Sequence, residues 1–408
     1  MMLSPVMRWT SVLADASAVP HRPAPQPPWR RLVLVAVAGL AVAAILLALQ
    51  LIRLAGDNGS GATAPFIVGT TWQLDEELAA RGVRVALTEG PGYDGQWFLG
   101  LAHDPLLREH LADGFDQPRY RARRPLFAMA GWVLAGGQPV AIPVALLAVE
   151  LLAVALGCAA VGRVLASYGR SRWWGLGFAF IPGVAVGVMF GTAEPLGLAL
   201  AALGLSLVLD GRLVAAGLAA AAAGLTKETF LGFGAAAAAW LLVRSRRAVR
   251  ERVRSALLLT APGVVLLGLW WWYVARMVPA SPSDSTAVQA FSQPLAGWAH
   301  ALARVAGGDY VADAPVGPFG PASILCMLVV LVVAVIRSRR LRSLLDWSGM
   351  LMAWYGLLLH GDLLGRFLSA TRALAPCVLG AGLAVLAAGL PRLRSRHVAE
   401  PMITTPSR

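Results

Sequence analysis

The segment best suited to a chemical role is Gly-Pro-Gly-Tyr-Asp-Gly-Gln-Trp, residues 90–97. Its glycines permit a tight turn with positive φ angles, and Tyr93 and Trp97 offer aromatic faces that could stack on a sugar ring or lie at a membrane interface. A carboxylate on such a turn suits a general base, which takes a proton from a weak nucleophile. The segment therefore predicts that Asp94 is catalytic. The alternative is that Asp94 only makes a turn hydrogen bond to its own backbone.

A second candidate feature is the only lysine of the chain, Lys227, which stands among 34 arginines. It lies beside Glu228 in a polar turn between two apolar segments, and Glu194 lies in another such turn. Ionisable groups at membrane depth are costly and are read as functional by default. A single retained lysine indicates a position that needs a compact ammonium rather than a planar guanidinium. The alternatives are that Lys227 only pairs with Glu228 in the same helix or extends to the membrane surface.

A third feature is an arginine cluster, Tyr-Arg-Ala-Arg-Arg, at residues 120–124, directly before an apolar segment. Guanidinium groups bind phosphate oxygens in bidentate fashion. Arg121 and Arg124 therefore fit the phosphate or diphosphate of a lipid carrier. Simple contact with lipid headgroups is the alternative.

The sequence gives little support for a metal site. His103, Asp104 and His110 have no standard ligand spacing, and the three cysteines lie in apolar segments at unrelated spacings. A divalent ion held by Asp94 and Asp104 has no support beyond the residue types. We therefore expect no metal or other cofactor.

The composition identifies the environment of these residues. Of 408 residues, 57% are hydrophobic and 14% are charged, with a mean hydropathy of +0.65; soluble domains carry about a quarter charged residues. We therefore expect a membrane protein rather than a water-soluble enzyme, a disulfide scaffold or a nucleic-acid-binding protein, with membrane lipids around it and no nucleic-acid partner.

Hydropathy predicts an all-α polytopic membrane protein with about ten transmembrane helices. The first is residues 32–52, and a polar loop, residues 53–138, follows it. Short surface helices are expected there at 71–83 and 104–114, and a re-entrant or interfacial helix at 125–137, which is too short to span. The remaining helices are expected within 139–390, at 139–162, 173–190, 196–209, 213–225, 230–243, 255–278, 321–336, 344–360 and 373–390.

Charge distribution predicts the orientation. With cytoplasmic tails at 1–31 and 391–408, the inner segments hold 22 of the 35 basic residues and 5 of the 22 acidic ones, counting Asp346 at the start of the helix at 344–360, as the positive-inside rule requires. The long loop then faces outward, and the turns that carry Asp94, Glu194 and Lys227 open on that same face. So does the start of the last helix, with His360, Asp362, Arg366 and Arg372.

This layout resembles the GT-C glycosyltransferases, multispanning enzymes that use polyprenyl-phosphate sugars. The residues that carry the resemblance are Tyr93-Asp94-Gly95-Gln96, the segment from Tyr120 through Arg124-Pro-Leu-Phe, and Thr226-Lys227-Glu228. The chain is most similar to bacterial members that build cell-surface glycopolymers. The likeness covers most of the chain in layout, but its motifs cover only about 90–132 and 191–229.

The resemblance implies an enzyme of the cytoplasmic membrane that moves a sugar from a polyprenyl-phosphate donor to a glycan or glycolipid acceptor. Asp94 is the implied base, and Arg121, Arg124, Lys227 and Arg372 are expected to bind the donor phosphate. The residues expected to support the sugar or the acceptor are Tyr93, Gln96, Trp97, Glu194, Glu228 and Asp362. The alternatives are a transporter or flippase of lipid-linked sugars and a non-catalytic subunit of a glycopolymer-assembly complex.

Overall fold

A computed structural model shows that the chain is mostly helical. It describes residues 29–55, 61–72, 74–245, 248–282, 284, 291–308, 319–339, 341–364 and 366–388. Nearly all of the expected tails at 1–31 and 391–408 lies outside these residues. The first helix, expected to begin at residue 32, already includes Trp29, Arg30 and Arg31.

The helices of the described residues are α1 (Trp29–Leu54), α2 (Leu74–Ala80), α3 (Gly95–His103), α4 (Pro118–Ala122), α5 (Pro125–Leu134), α6 (Ile142–Ser167), α7 (Pro182–Phe190), α8 (Glu194–Leu209), α9 (Leu213–Thr226), α10 (Leu231–Arg244), α11 (Val249–Met277), α12 (Ala296–Gly307), α13 (Phe319–Ser338), α14 (Leu344–Leu357), α15 (Gly361–Leu364) and α16 (Phe367–Ala388). Two short strands, β1 (Val68–Gly69) and β2 (Leu87–Thr88), pair in parallel. The expectation of an all-α chain thus misses one small element, which lies in the loop that carries Asp94.

Four helical stretches within the described residues are long and apolar enough to cross a membrane, and a fifth span is formed if one bent pair is counted. The four are Trp29–Leu54, Pro139–Ser167, Val249–Met277 and Leu368–Ala388. The bent pair, Arg172–Phe178 with Pro182–Phe190, turns by 55°. Its proline lacks a backbone N–H and restricts the residue before it, so the expected span at 173–190 is broken. Membrane-spanning character is therefore supported, with fewer full-length spans than the ten expected.

The first loop departs from its predicted helices at one place. The expected surface helix at 71–83 is present as α2, whereas residues 104–114 contain only the 3₁₀ turn Leu111–Gly114. The Asp104 carboxylate accepts hydrogen bonds from the backbone N–H groups of Arg108 and Glu109, at 2.8 and 3.0 Å. A side chain that satisfies backbone donors in this way competes with helix formation.

The segment after this loop, α5, has ten residues. At 1.5 Å per residue, its length is about half of a hydrocarbon core of about 30 Å. Phe127 is fully buried, and Gly131 lets the helix approach Leu146 of α6 closely. The helix therefore docks on the bundle as a short apolar element.

Close helix packing brings three distant segments together around Asp94. Gly183 of α7 lies against the backbone of Thr371 and Arg372 in α16, and Gly187 lies against Pro195 of α8. Gly191, with φ of +65°, ends α7 and turns the chain into α8. Gly95 lies so close to the Phe190 carbonyl that no side chain fits between them. The start of α3, the α7–α8 turn and α16 therefore meet.

Candidate functional site

The Asp94 turn is built from local backbone geometry. Gly90 and Gly92 have φ angles of +94° and +70°, which a residue with a Cβ rarely adopts. The Gln96 side chain fixes the turn, because its Nε2 donates to the Pro91 carbonyl at 2.7 Å and its Oε1 accepts from the Gly69 N–H at 3.0 Å. Gln96 therefore holds the loop against β1 through both ends of its amide.

Asp94 pairs with two arginines that come from distant parts of the chain. Its Oδ1 accepts from Arg121 Nη1 at 3.0 Å, and its Oδ2 accepts from Arg372 Nη1 at 2.7 Å. The carboxylate makes no capping hydrogen bond to the backbone of α3. The alternative role as a turn-forming aspartate is therefore wrong.

The same two arginines extend the contact on both sides. Arg121 also pairs with Asp116 at 2.7 Å, and Arg372 also pairs with Glu194 at 2.9 Å. Glu194 in turn pairs with Lys227 at 3.0 Å and accepts from the Thr192 hydroxyl at 2.6 Å. We call this alternating series of ion pairs the charge chain: Asp116, Arg121, Asp94, Arg372, Glu194 and Lys227.

Lys227 does not pair with its neighbour Glu228. Instead, Glu228 takes a bidentate contact from Arg124, whose Nε and Nη2 donate to the two carboxylate oxygens at 3.0 and 2.7 Å. Arg124 also donates to the Tyr120 hydroxyl at 2.7 Å. The alternative of a local Lys227–Glu228 pair is wrong. Arg121 and Arg124 are also too enclosed by these partners to make only headgroup contacts.

The charge chain sets the ionisation of the groups in the loop. Burial by itself would raise the pKa of Asp94, but the guanidinium groups of Arg121 and Arg372 outweigh it and hold that pKa well below its usual range. Burial raises the pKa of Tyr93 to about 12, although Arg372 opposes the shift. Asp94 is therefore an ionised carboxylate and Tyr93 a neutral phenol near neutral pH.

Asp94 lines a cavity of about 640 Å³, within the size range of small-molecule sites. Four other predicted site residues line it: Tyr93, Gln96, Trp97 and Arg121. Asp94 keeps 30% of its side chain exposed. Asp116 of the charge chain also lines the cavity, whereas Arg372, Glu194 and Lys227 do not. The Arg124–Glu228 pair does not line it either.

Two aromatic rings support the charges from the side. Arg121 lies over the Trp97 ring with its Cζ 5.6 Å from the centroid, and Arg372 lies over the Tyr93 ring at 5.3 Å. Such cation–π contacts stabilise a guanidinium over the ring face. Trp97 is otherwise buried against Trp72 and Phe115. Tyr93 and Trp97 therefore position the arginines as well as lining the cavity.

Asp362 is placed apart from the other predicted residues. Its side chain is 71% exposed and pairs with His360 at 3.4 Å, and it does not line the cavity around Asp94. The sequence suggested convergence because the start of the last helix, with Asp362 and Arg372, was expected to open on the same face as the other polar turns. In the structure, Asp362 lies in α15 and Arg372 lies in α16, and only Arg372 pairs with Asp94.

Sequence reasoning missed several residues of the cavity wall, including the carboxylate Glu89. Asp116 ends the charge chain, while Gln50, Arg53 and Trp72 face the cavity from α1 and from the loop before α2. Arg366, noticed in the sequence only as part of the last polar turn, also lines it. The signal in the sequence was the presence of Gln50 and Arg53 at the C-terminal end of an otherwise apolar span.

Within the described part of the chain, no group of three or more His, Cys, Asp or Glu side chains is placed to hold a metal ion. Asp104 directs its carboxylate to backbone N–H groups, so it does not join Asp94 in a two-carboxylate site. The chain was compared with protein-family models, with curated proteins and with solved structures, and none of the three comparisons finds a match.

Proposed function

We propose that this protein is a membrane glycosyltransferase with a GT-C-like architecture that moves a sugar from a polyprenyl-phosphate donor to a glycan or glycolipid acceptor. The observation that carries the proposal is Asp94, an ionised carboxylate on the wall of a cavity that also presents aromatic and cationic groups. Such a wall supplies a base for a hydroxyl group, the partly exposed rings of Tyr93 and Trp72 for a sugar, and positive charge for a phosphate.

The reaction we assign to this site is direct displacement at the anomeric carbon. Asp94 takes the proton of an acceptor hydroxyl while the oxygen of that hydroxyl bonds to the anomeric carbon. The bond between that carbon and the phosphate oxygen breaks, and the phosphate leaves with the electron pair. Nearby guanidinium groups stabilise the charge that develops on it. Because phosphate is a good leaving group, no second carboxylic acid is required to protonate it.

The pairing of Asp94 with two arginines bears on its strength as a base. A carboxylate with a strongly depressed pKa accepts a proton poorly. A donor phosphate that draws a hydrogen bond from Arg121, which lines the cavity, weakens the hold of that group on Asp94. The basicity of Asp94 then rises when the donor is in place, which favours transfer over deprotonation in an empty site.

The proposed location is the extracytoplasmic side of the cytoplasmic membrane. The excess of basic residues in the segments assigned to the inside supports this orientation. About ten crossings are part of the proposal, with α8, α9 and α10, of 14 to 16 residues, crossing as short helices beside the full-length spans. Asp94 would then act on donors whose sugar already lies on the extracytoplasmic side of the membrane.

The test is Asp94→Asn in the purified full-length chain, assayed for sugar transfer from polyprenyl-phosphate donors. Loss of a general base lowers kcat by about 100-fold to 10,000-fold. The matched control is Asp113→Asn, the same change at an exposed position of the same loop that pairs with His110. The proposal is wrong if the Asp94 variant transfers sugar as fast as the wild type.

One observation favours transport as a second candidate function. Glu150 is completely buried in α6, and neither of its carboxylate oxygens has a hydrogen-bond partner among the described residues. Acidic residues inside membrane helices often mark proton pathways. A proton-coupled transporter of lipid-linked sugars would lose substrate movement in proteoliposomes on Glu150→Gln and tolerate Asp94→Asn. A glycosyltransferase would show the reverse.

A further inference from the structure

We infer that two arginines outside the charge chain, Arg53 and Arg366, bind the phosphate group of a lipid-linked substrate in the cavity beside Asp94. This inference rests on the proposed function and names the phosphate subsite. It differs from the sequence-based expectation, which assigned the phosphate to Arg121, Arg124, Lys227 and Arg372.

The first argument concerns which cations are free. Arg124, Lys227 and Arg372 each contact a carboxylate at 3.0 Å or less and do not line the cavity. Binding a phosphate through them would break a buried ion pair, which is costly. Arg53 and Arg366 are exposed, line the cavity, and make no ion pair with any described carboxylate.

The second argument concerns two other polar residues of the cavity wall. Gln50 is 1% exposed and lines the cavity, and its Oε1 has no partner among the described residues. The Trp72 Nε1 is also buried and lacks a partner, and its ring lines the same wall. Buried polar atoms are nearly always hydrogen-bonded. Both atoms are themselves buried in the wall, so they would reach the hydroxyl or phosphate groups of a ligand only after their side chains rotate toward the cavity.

The third argument concerns the lipid tail. Arg53 lies in the last turn of α1, whose outer face is apolar and exposed; Leu49 is 59% exposed and Ile52 is 72% exposed. Leu54 continues this surface into the cavity wall. A phosphate held by Arg53 therefore places an attached prenyl chain along α1, where a membrane helix meets lipid, and leaves the sugar on the Asp94 side.

The experiment measures binding and needs no turnover. Wild type, Arg53→Ala, Arg366→Ala and the double variant, all in detergent, are titrated calorimetrically with farnesyl phosphate, farnesol and inorganic phosphate. Each arginine supplies a charged hydrogen bond, so we expect Kd for farnesyl phosphate to rise about 10-fold per substitution. Farnesol binding should stay unchanged. The control is Arg108→Ala. Arg108 is exposed in the loop that carries Asp94 and does not line the cavity, so this variant should bind farnesyl phosphate like the wild type.

Several results would overturn the assignment. One is unchanged farnesyl phosphate binding in the double variant; another is an equal loss in Arg108→Ala. A third is wild-type binding of inorganic phosphate as tight as that of farnesyl phosphate, which would show an anion site with no lipid preference. Arg53→Lys and Arg366→Lys should keep part of the affinity, because a point charge replaces the fork of donors.

The outcome is independent of the transfer reaction. If the arginine variants lose binding while Asp94→Asn keeps full transfer activity, the phosphate subsite stands and the catalytic role of Asp94 falls. If binding is unchanged while Asp94→Asn abolishes transfer, the subsite falls and the enzyme remains.

Discussion

Gly95→Ala is the sharpest test of the idea that Asp94 must be held in place. A Cβ at this position would overlap the Phe190 carbonyl oxygen and lie 3.2 Å from the Gly191 oxygen. Ordinary contacts between carbon and oxygen are about 3.3–3.6 Å, so the start of α3 must retreat by about 1 Å. Asp94 moves with it, away from a contact of 2.7 Å to Arg372.

The expected result follows from that displacement. A shift of about 1 Å in a reacting group costs about 100-fold in rate, and the steric overlap costs about 1–3 kcal/mol of stability. We therefore expect kcat for sugar transfer to fall about 100-fold while the protein still folds and still binds farnesyl phosphate. Steady-state transfer kinetics, thermal unfolding in detergent and calorimetric titration measure the three quantities.

The matched control is Gly114→Ala in the same loop, where an added Cβ meets no atom within 4 Å and φ is not positive. It should keep both activity and stability. Wild-type kcat in Gly95→Ala would refute the reasoning, since it would mean that the position of Asp94 at the start of α3 does not matter to the reaction.

Three further predictions follow from the charge chain and the orientation. Lys227→Met should lower the free energy of unfolding by about 1.5–3 kcal/mol, the worth of one charged hydrogen bond, because Glu194 loses Lys227 but keeps Arg372. Adding Glu194→Gln should recover part of that loss in thermal unfolding. Because the pKa of Asp94 is lowered on folding, its stabilising effect is fully present above its unfolded pKa of about 3.9 and is lost as the pH falls further. The melting-temperature difference between wild type and Asp94→Asn should thus stay constant from pH 8 to 5 and shrink below pH 4. Arg108→Cys, with exposed Cys326 replaced by serine, should react in intact cells with a thiol reagent that does not cross membranes.

Each of these predictions has an outcome that contradicts it. An Lys227→Met variant as stable as the wild type would mean that the pair with Glu194 contributes nothing. A melting-temperature difference that grows as the pH falls would reverse the sign expected for a depressed carboxyl pKa. Labelling of Arg108→Cys only after the cells are lysed would place the loop inside and remove the proposed site of sugar transfer.

The sequence singled out Asp94 by the glycines and aromatic residues around it, but not the partners that set its ionisation state. Glycines around an aspartate predict a tight turn, and the turn is present. The partners of Asp94 are 27 and 278 residues away, and no local pattern carries that information. Convergence of polar turns on one face predicted that such residues would be near one another, and for Glu194, Lys227 and Arg372 they are.

The identities of the pairs were beyond sequence reasoning. Lys227 and Glu228 are neighbours in the sequence, yet Lys227 pairs with Glu194 and Glu228 pairs with Arg124. The backbone of Lys227 is extended where α9 ends, so successive side chains leave in different directions. A helical assignment of this turn would have placed the two side chains about 100° apart on one helix, and would still have missed Glu194.

Pairing along the charge chain also explains why phosphate binding and the positioning of Asp94 are assigned to different residues. The chain contains three carboxylates and three cations, so its formal charge is zero, which limits the cost of burying it beside a membrane. A neutral network offers little attraction to an incoming anion. The cavity wall as a whole has three arginines and three carboxylates, because Glu89 lines it as well. Attraction for an anion must therefore come locally from Arg53 and Arg366, which form no ion pair with a described carboxylate. Substitutions in the charge chain should then change the rate of transfer or the stability of the fold, whereas substitutions of the two exposed arginines should change affinity.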